Sequence, residues 1–288
     1  MQSSKINKKI LIEVIQKNIK MALEEDIGKI DLSAQLINPK LTVIAYVKSK
    51  ESALISGIPW FNSTFLRLDP KIKIKWLIKE GQIVKKNQRL CEVYGKARSI
   101  LSGERVALNF LQTLSATSTA TYHFVKAISG SNAKIFDTRK TIPGLRVAQK
   151  YAVIVGGGNN QRIGLFDQIL IKENHITSSH KMDDLFPLAL KHAKNKNIQI
   201  EVERLDQLKK ALELGFRNIL LDNFDIKALK KAVLLNNGKA LLEASGNITL
   251  KNVKKIALTG IDRISIGSLT KNIKAIDLSM KIETFKSL

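Results

Sequence analysis

The chain has 288 residues, of which 44% are hydrophobic and 25% charged, and its formal net charge is +23. These proportions are close to globular averages, so they exclude a fibrous repeat and an intrinsically disordered chain. The 48 lysines and arginines are scattered through every segment, which is typical of solvated surfaces rather than of one nucleic-acid-binding face. A positive field also favours encounter with small anionic substrates.

Three further features concern the compartment of the protein. Cys91 is the only cysteine, so no internal disulfide framework is possible. The longest stretch without a charge, residues 106–125, contains too many polar side chains to span a bilayer. The first residues lack the apolar segment of a secretory signal. We therefore expect a cytoplasmic protein with no membrane partner.

The first third of the chain has the pattern of a small α+β domain. Apolar residues at three- to four-residue spacing from Ile10 to Leu23 predict an amphipathic helix that ends near Gly28. β-branched or alternating runs then predict five strands, at residues 41–47, 53–56, 72–78, 82–84 and 90–93. Together they predict a smaller N-terminal α+β sandwich domain over residues 1–110, on which the segment 272–288 could also pack.

A helical pattern over residues 102–128 leads into a region where short apolar strands alternate with helical segments. The six strands are predicted at residues 134–137, 168–172, 198–203, 219–222, 240–244 and 263–267. Such alternation predicts a parallel sheet. Because the common closed barrel has eight strands, we predict an α/β fold class with an open (incomplete) parallel α/β barrel over residues 111–271.

Charged or small polar residues finish nearly every strand of the predicted barrel. Active sites of parallel barrels lie at these carboxyl ends, and the cationic candidates are Arg105, Arg139, Lys140, Arg162 and Lys172. Guanidinium groups suit bidentate binding of carboxylate or phosphate. Glu201 and Asp222 end neighbouring strands, where two carboxylates can hold Mg²⁺ or face a developing positive charge. Salt bridges to nearby lysines are the alternative explanation for this acidic pair.

Three glycine-containing loops are candidate phosphate sites. Ser245-Gly246-Asn247 and Gly267-Ser268 each follow a strand and precede a helix-like segment. Backbone N–H groups at a helix start favour phosphate, and barrel enzymes often bind it after their last strands. Gly156-Gly157-Gly158 is the third loop, although any tight turn would also explain it.

Longer motifs identify a family. The central block contains Asp137-Thr138-Arg139-Lys140-Thr141, Pro143-Gly144-Leu145-Arg146, Gln149-Lys150-Tyr151-Ala152-Val153, Gly156-Gly157-Gly158, Asn160, Arg162, Gly164-Leu165 and Leu170-Ile171-Lys172-Glu173-Asn174-His175. Further motifs lie at residues 24–28, 102–109, 201–203, 221–223, 243–246 and 264–267. In this order, and over nearly the whole chain, they resemble quinolinate phosphoribosyltransferase.

The resemblance implies a transferase of NAD biosynthesis. Such an enzyme moves the phosphoribosyl group of 5-phosphoribosyl 1-pyrophosphate to quinolinate with decarboxylation, and the products are nicotinate mononucleotide, pyrophosphate and CO₂. It also implies Mg²⁺ as cofactor and a homodimer or higher homo-oligomer, in which Arg105 reaches the site of the neighbouring subunit. Nucleic acid is not among the partners that it implies.

The resemblance also implies a role for each site residue. Arg105, Arg139, Arg162 and Lys172 would bind the quinolinate carboxylates, with Thr138 and Gln161 as further substrate contacts. Lys140 would lie between the two substrates as a catalytic residue. Glu201 and Asp222 would contact the ribose and Mg²⁺, directly or through water or substrate. Ser245, Gly246, Asn247, Gly267 and Ser268 would bind phosphate.

Three positions depart from the family pattern. Gln161 and Lys271 replace histidines, and Ile30 stands where the early motif has glycine. We therefore expect an active enzyme that is slower than typical members. Two alternatives stay open: a relative that uses another acceptor or has lost activity, and a basic nucleic-acid-binding protein.

Overall fold

A computed structural model describes residues 7–179, 182–193 and 197–283. In chain order the elements are α1 (Lys8–Ile27), a 3₁₀ turn (Ala34–Leu36), β1 (Thr42–Ser49), β2 (Ala53–Leu54), α2 (Ile58–Leu68), β3 (Lys73–Trp76), β4 (Ile83–Val84), β5 (Arg89–Lys96), α3 (Ala97–Ala127), β6 (Lys134–Phe136), α4 (Arg146–Val155), β7 (Ile169–Ile171), α5 (Glu173–Ser179), α6 (Met182–Ala193), β8 (Ile198–Val202), α7 (Leu205–Glu213), β9 (Asn218–Asp222), α8 (Ile226–Asn236), β10 (Leu241–Ser245), α9 (Val253–Ala257), β11 (Arg263–Ser265), α10 (Ser268–Lys271) and β12 (Leu278–Glu283).

The chain forms two compact units that interleave along the sequence. The described part of the barrel unit is residues 123–141, 158–179, 182–193 and 197–269, and that of the helix–sheet unit is residues 7–122, 142–157 and 270–283. The sequence predicted a first domain over residues 1–110, on which the segment 272–288 could pack, and a second over residues 111–271. Residues 142–157 belong to the helix–sheet unit because α4 buries Ala148 and Ala152 in one apolar cluster with residues of α1 and α2. The apolar face of a short helix is stabilised wherever it removes most surface from water.

The helix–sheet unit is built on an antiparallel sheet with the strand order β12-β1-β5-β3. Burial alternates along β1, so Val43, Ala45 and Val47 face the core. The opening helix and all five strands predicted for this region are present. β12 pairs with β1 from Ser49↔Leu278 to Ile44↔Glu283. Residues 284–288 of the C-terminal segment lie outside the described residues.

The barrel unit contains the predicted parallel sheet. Its six strands have the order β6-β11-β10-β9-β8-β7, and every neighbouring pair is parallel. The first two of these strands along the chain, β6 and β7, are therefore the two edge strands of the sheet. This arrangement confirms the α/β fold class with an open barrel and a separate antiparallel N-terminal region. Parallel pairing also brings the carboxyl ends of all six strands to the same end of the barrel, where the candidate site was predicted.

In the loop Gly156–Gly158, helix packing explains why the first residue is glycine. Gly156 follows the end of α4, and a Cβ there would lie 2.5 Å from the Ser118 carbonyl oxygen of α3. Only glycine lets the two helices approach this closely. Gly157 adds a turn with a φ of 86°. The close approach explains Gly156 without a bound phosphate.

Helix α3, with 31 residues, is long enough to raise the question of a membrane span. Its middle buries hydroxyl groups that bond to the chain: Ser118 Oγ donates to the Leu54 carbonyl at 2.7 Å, and Ser115 Oγ accepts from the Ser56 amide at 3.0 Å. Within the ranges 7–179, 182–193 and 197–283, no helix combines the length and apolar character that crossing a bilayer requires.

Candidate active site

Two arginines of the barrel unit lie close together, the buried Arg162 and the half-buried Arg139. Arg162 is only 7% exposed, and its Nη1 donates to the Gln168 carbonyl at 3.3 Å. Its Nε is buried and has no hydrogen-bond partner among the described residues. Burial lowers the pKa of Arg162, and the nearby charge of Arg139 lowers it further, against the opposite effects of Asp167 and Glu201. Two like charges held close together, one of them buried, favour a bound anion.

The predicted acidic residue Glu201 is paired with a predicted cation. The register of β7 and β8 places Ile171 beside Ile200, so the next residues, Lys172 and Glu201, are neighbours. Lys172 Nζ lies 2.8 Å from Glu201 Oε2, and the Glu201 side chain is only 16% exposed. The salt bridge that we considered as an alternative therefore exists, but it joins two candidate site residues.

A buried carboxylate joins the two loops that carry the arginines. Asp137 directly follows β6, is fully buried, and accepts a hydrogen bond from the backbone amide of Gln161 at 2.8 Å. The contact holds the segment that contains Arg139 next to the segment that contains Arg162. Asp137 thus acts as a structural tether between the loops.

The loop after β11 adjoins the loop after β6. A Cβ on Gly267 would lie 3.0 Å from Lys140 Cδ and 3.6 Å from Thr138 Oγ1. Thr138 Oγ1 also accepts from the Lys140 amide at 3.1 Å. Ser268 begins α10 immediately afterwards. The structure therefore brings Thr138, Lys140 and the Gly267-Ser268 loop together, as the strand-end prediction requires.

The other predicted phosphate loop lies beside Asp222. The register pairs Ser245 with Asp222, and the Ser245 carbonyl accepts from the Asn223 amide at 2.9 Å. Gly246 has a φ of 96°, and a Cβ there would collide with the Asn223 side chain, so this turn requires glycine. Asn247 Nδ2 donates to Asn223 Oδ1 at 3.4 Å, and Asn223 Nδ2 donates to Asp222 Oδ2 at 2.9 Å. A cavity of about 510 Å³ borders this loop.

Arg105 belongs to the helix–sheet unit, where it lies exposed on α3. One helical turn earlier, Ser102 Oγ donates to Asp31 Oδ2 at 2.6 Å and holds the preceding loop on this helix. That loop and the 3₁₀ turn after it expose large apolar side chains, with Leu32 at 77% and Leu36 at 86%. Apolar groups exposed this far are typical of a surface that another molecule covers.

A buried polar network inside the barrel joins Gln161, a predicted substrate contact, to side chains that were not predicted as binding groups. The Glu243 carboxylate is 1% exposed and accepts from Gln199 Nε2 at 2.9 Å, from Gln161 Nε2 at 3.3 Å, and from Ser265 Oγ. Gln168 Nε2 donates to Gln199 Oε1 at 3.1 Å. One sequence signal was available: Gln199 interrupts an otherwise apolar pair, Ile198 and Ile200, at a strand position that is fully buried. A buried amide needs partners.

Mg²⁺, which the resemblance implies, would have few ligands from the described residues. No group of three or more histidine, cysteine, aspartate or glutamate side chains lies close enough there to hold an ion. Glu201 and Asp222 are engaged by Lys172 and Asn223 respectively. One or two such carboxylates fit Mg²⁺, which usually keeps several waters and takes further oxygens from substrate phosphates.

Comparison with known proteins agrees with this geometry. Two family models match consecutive parts of the chain: the N-terminal domain of quinolinate phosphoribosyl transferase over residues 31–115, and its C-terminal domain over residues 117–281. The chain is 39% identical to a chloroplastic nicotinate-nucleotide pyrophosphorylase [carboxylating] from Arabidopsis thaliana, over 92% of this chain and 82% of that protein. It is 37% identical to a probable enzyme of the same name from Bacillus subtilis, over 90% of each.

A solved structure extends the likeness to the whole fold. The nicotinate-nucleotide pyrophosphorylase from Francisella tularensis is 42% identical and superposes with a TM-score of 0.92, over 98% of this chain and 99% of that one. The matching models, relatives and fold all concern one enzyme family. The chain therefore belongs to the quinolinate phosphoribosyltransferase family.

Proposed function

We propose that this protein transfers the phosphoribosyl group of 5-phosphoribosyl 1-pyrophosphate to quinolinate, with loss of one carboxylate as CO₂, to give nicotinate mononucleotide and pyrophosphate. Membership of the family and the names of its relatives support this activity. The single observation that carries it is the buried Arg162 guanidinium beside the charge of Arg139. The cytoplasmic location expected from the sequence is part of the same proposal.

Quinolinate has two adjacent carboxylates, which match the cationic side of the site. Arg139 and Arg162 would bind them through charge-assisted hydrogen bonds, each worth about 1.5–3 kcal/mol. Lys172 would add a third positive group while Glu201 holds its Nζ at 2.8 Å. A bound dianion would also offset the repulsion between the two guanidinium groups.

The phosphoribosyl donor would lie on the other side of the strand ends. Backbone amides at Gly246 and Gly267 would bind its phosphate, and Lys140 beside Gly267 would lie between donor and acceptor. Departure of pyrophosphate builds positive charge on the ribose, which the Glu201 and Asp222 carboxylates would stabilise. Holding the two reactants in line can supply about 7–11 kcal/mol.

Decarboxylation follows from the same geometry. Once the ring nitrogen of quinolinate carries ribose, it is positively charged and stabilises the carbanion that forms at the adjacent carbon as the bond to CO₂ breaks. This carbon then takes up a proton from water to give the product, so the protein has mainly to hold the remaining carboxylate in place. Arg139, in the loop after β6, and Arg162, in the loop before β7, would perform this task.

We propose Mg²⁺ as the cofactor, bound with the pyrophosphate of the donor. Glu201 and Asp222 would hold it directly or through water. The ion would neutralise part of the charge on the leaving pyrophosphate. Residues of the chain would supply the acceptor site and the ribose contacts.

The activity can be tested with purified protein, both substrates and Mg²⁺. We expect nicotinate mononucleotide, pyrophosphate and CO₂ in equal amounts, and loss of the reaction when EDTA removes the metal. Nicotinate in place of quinolinate should give no product, which distinguishes this enzyme from a relative that uses another acceptor. The rate should be below that of the Bacillus subtilis relative measured in parallel. Absence of product with both substrates and Mg²⁺ would contradict the proposal.

We also propose a homodimer or higher homo-oligomer in which Arg105 completes the site of the neighbouring subunit. Leu32 and Leu36 expose large apolar side chains, and Leu32 follows Asp31, which is bonded to Ser102 of the helix that carries Arg105. These exposed side chains support an interface on the surface around Arg105. If the site is shared, Arg105→Ala and Glu201→Gln subunits will complement each other. Mixed dimers isolated after co-expression with two affinity tags should have about half of the wild-type activity per subunit, because each of them contains one intact site out of two.

Each of the two variants expressed alone serves as the control for this complementation experiment, and both should be nearly inactive. Size-exclusion chromatography with light scattering checks that the mixed assemblies form. Mixed dimers that stay inactive would show that Arg105 acts within its own subunit or not at all.

A further inference from the structure

The amide of Gln161 is committed to other side chains of the protein. Gln161 Nε2 donates to Gln199 Oε1 at 3.0 Å and to Glu243 Oε1 at 3.3 Å. A primary amide nitrogen has two hydrogens, so both are directed at buried acceptors. Turning the amide over would set its oxygen against the Glu243 carboxylate and the Gln199 oxygen, which is repulsive. No hydrogen of this amide is left to donate to a substrate.

The two acceptors are themselves fixed inside the barrel. Gln199 and Glu243 are 0% and 1% exposed, and Gln199 Nε2 donates to Glu243 Oε2 at 2.9 Å. Ser265 Oγ gives Glu243 a further hydrogen bond. A buried carboxylate with three donors is a rigid anchor because breaking any one bond leaves a buried charge less solvated.

The loop that carries Arg162 is attached to this anchor at both ends. At its start, the Gln161 side chain is bonded to Gln199 and Glu243. At its end, Gln168 Nε2 donates to Gln199 Oε1 at 3.1 Å, and the Gln168 carbonyl accepts from Arg162 Nη1 at 3.3 Å. Between them, the Asp167 carboxylate accepts from the backbone amides of residues 163 and 164 at 2.7 and 2.9 Å.

From these contacts we infer that Gln161 is a positioning residue, which acts through Gln199 and Glu243 to fix the Arg162 guanidinium, and not a direct ligand of quinolinate. The inference rests on the proposed function, because Arg162 is the acceptor-binding group. A cavity of about 370 Å³ borders Gln161, Gln199 and Glu243. Since this space is polar and can admit water, shortened or apolar side chains at these positions have room to be accommodated.

A double-mutant cycle tests the inference, with quinolinate dissociation constants measured by calorimetry. Gln161→Leu and Gln199→Leu should each weaken quinolinate binding about tenfold, and the double variant should be no weaker than the worse single within about twofold. The Michaelis constant for 5-phosphoribosyl 1-pyrophosphate should change by less than about twofold. Gln207→Leu is the matched control, since Gln207 Oε1 accepts from two backbone amides at the start of α7, at 2.8 and 3.2 Å, outside the network.

The results that would contradict the positioning role of Gln161 are equally specific. If Gln161 contacted quinolinate directly, Gln199→Leu would leave binding unchanged and the double variant would match Gln161→Leu alone. If either leucine variant does not fold, Gln161→Asn and Gln199→Asn give the same cycle with shorter amides. An unaltered protein that binds no quinolinate would refute the proposed function itself, whereas independent effects in a protein that binds quinolinate would refute only the positioning role.

Discussion

Replacing Arg162 by leucine is expected to weaken quinolinate binding by about 10- to 150-fold, which corresponds to the loss of one charge-assisted interaction of about 1.5–3 kcal/mol. The same change should raise the melting temperature of the ligand-free protein. Arg162 is 7% exposed, and both its burial and the charge of Arg139 disfavour its charged form. A leucine side chain removes that desolvated charge, so stability and binding should change in opposite directions.

Calorimetry with quinolinate and thermal unfolding with and without the ligand measure the two effects of Arg162→Leu. Quinolinate at a hundred times its dissociation constant should stabilise the unaltered protein by about 2.7 kcal/mol, and the same concentration should stabilise the variant by only about 0.3–1.4 kcal/mol. Arg217→Leu is a matched control, because Arg217 is an exposed arginine of the same unit whose Nη1 also donates to a carbonyl, at 3.3 Å. An unchanged affinity of Arg162→Leu for quinolinate would contradict the assignment of Arg162 as a group that binds the quinolinate carboxylates.

Arg139 gives an independent check of the same cationic group. Arg139→Ala should raise the quinolinate Michaelis constant by a similar factor, again about 10- to 150-fold. Because the two guanidinium groups lie close enough to affect each other's charge, the effects of the two substitutions should not add. Fully additive losses would indicate that each arginine binds a separate ligand group.

Glu201→Gln is expected to reduce kcat by about 100- to 1000-fold, the range found when one preorganised electrostatic group is removed from a reacting centre. The amide is nearly isosteric and can still accept from Lys172 Nζ, which lies 2.8 Å from the present carboxylate. The quinolinate Michaelis constant should therefore change by less than about tenfold. What the substitution removes is the negative charge that faces the ribose as pyrophosphate leaves.

Product formation at saturating concentrations of both substrates measures this effect of Glu201→Gln. Glu203→Gln is the matched control, because Glu203 is the next acidic residue along the chain and its side chain is exposed. Its kcat should stay within about twofold of the unaltered enzyme. A Glu201→Gln variant with unchanged kcat, or an equal loss in Glu203→Gln, would rule out a specific role for the Glu201 carboxylate.

The sequence alone predicted much of the fold, because secondary structure follows local patterns. All six strands of the barrel and the five strands of the first region appear close to their predicted positions. Alternating apolar and polar residues, and runs such as Ile169-Leu170-Ile171, encode strand formation within a few residues. The rule that parallel strands gather their carboxyl ends then placed Lys172, Glu201 and Asp222 near one another, and Lys172 and Glu201 are indeed in contact.

Other features depend on contacts between distant parts of the chain. The attachment of α4 to α1 and α2 follows from which apolar surface Ala148 and Ala152 bury. No local pattern near residue 146 contains that information. Likewise, the direction of the Gln161 side chain is decided by Gln199 and Glu243, which lie 38 and 82 residues further along the chain.

The amino-acid sequence by itself determined the strand and helix order, the parallel sheet, and the identity of the family, since each is written in local periodicity or in continuous motifs. Only the tertiary structure decided that Gln161 faces an internal carboxylate, that Lys172 pairs with Glu201, and that Arg162 is desolvated beside Arg139. The physical reason is that hydrogen bonds, ion pairs and burial depend on which distant residues the fold brings within a few ångströms of each other.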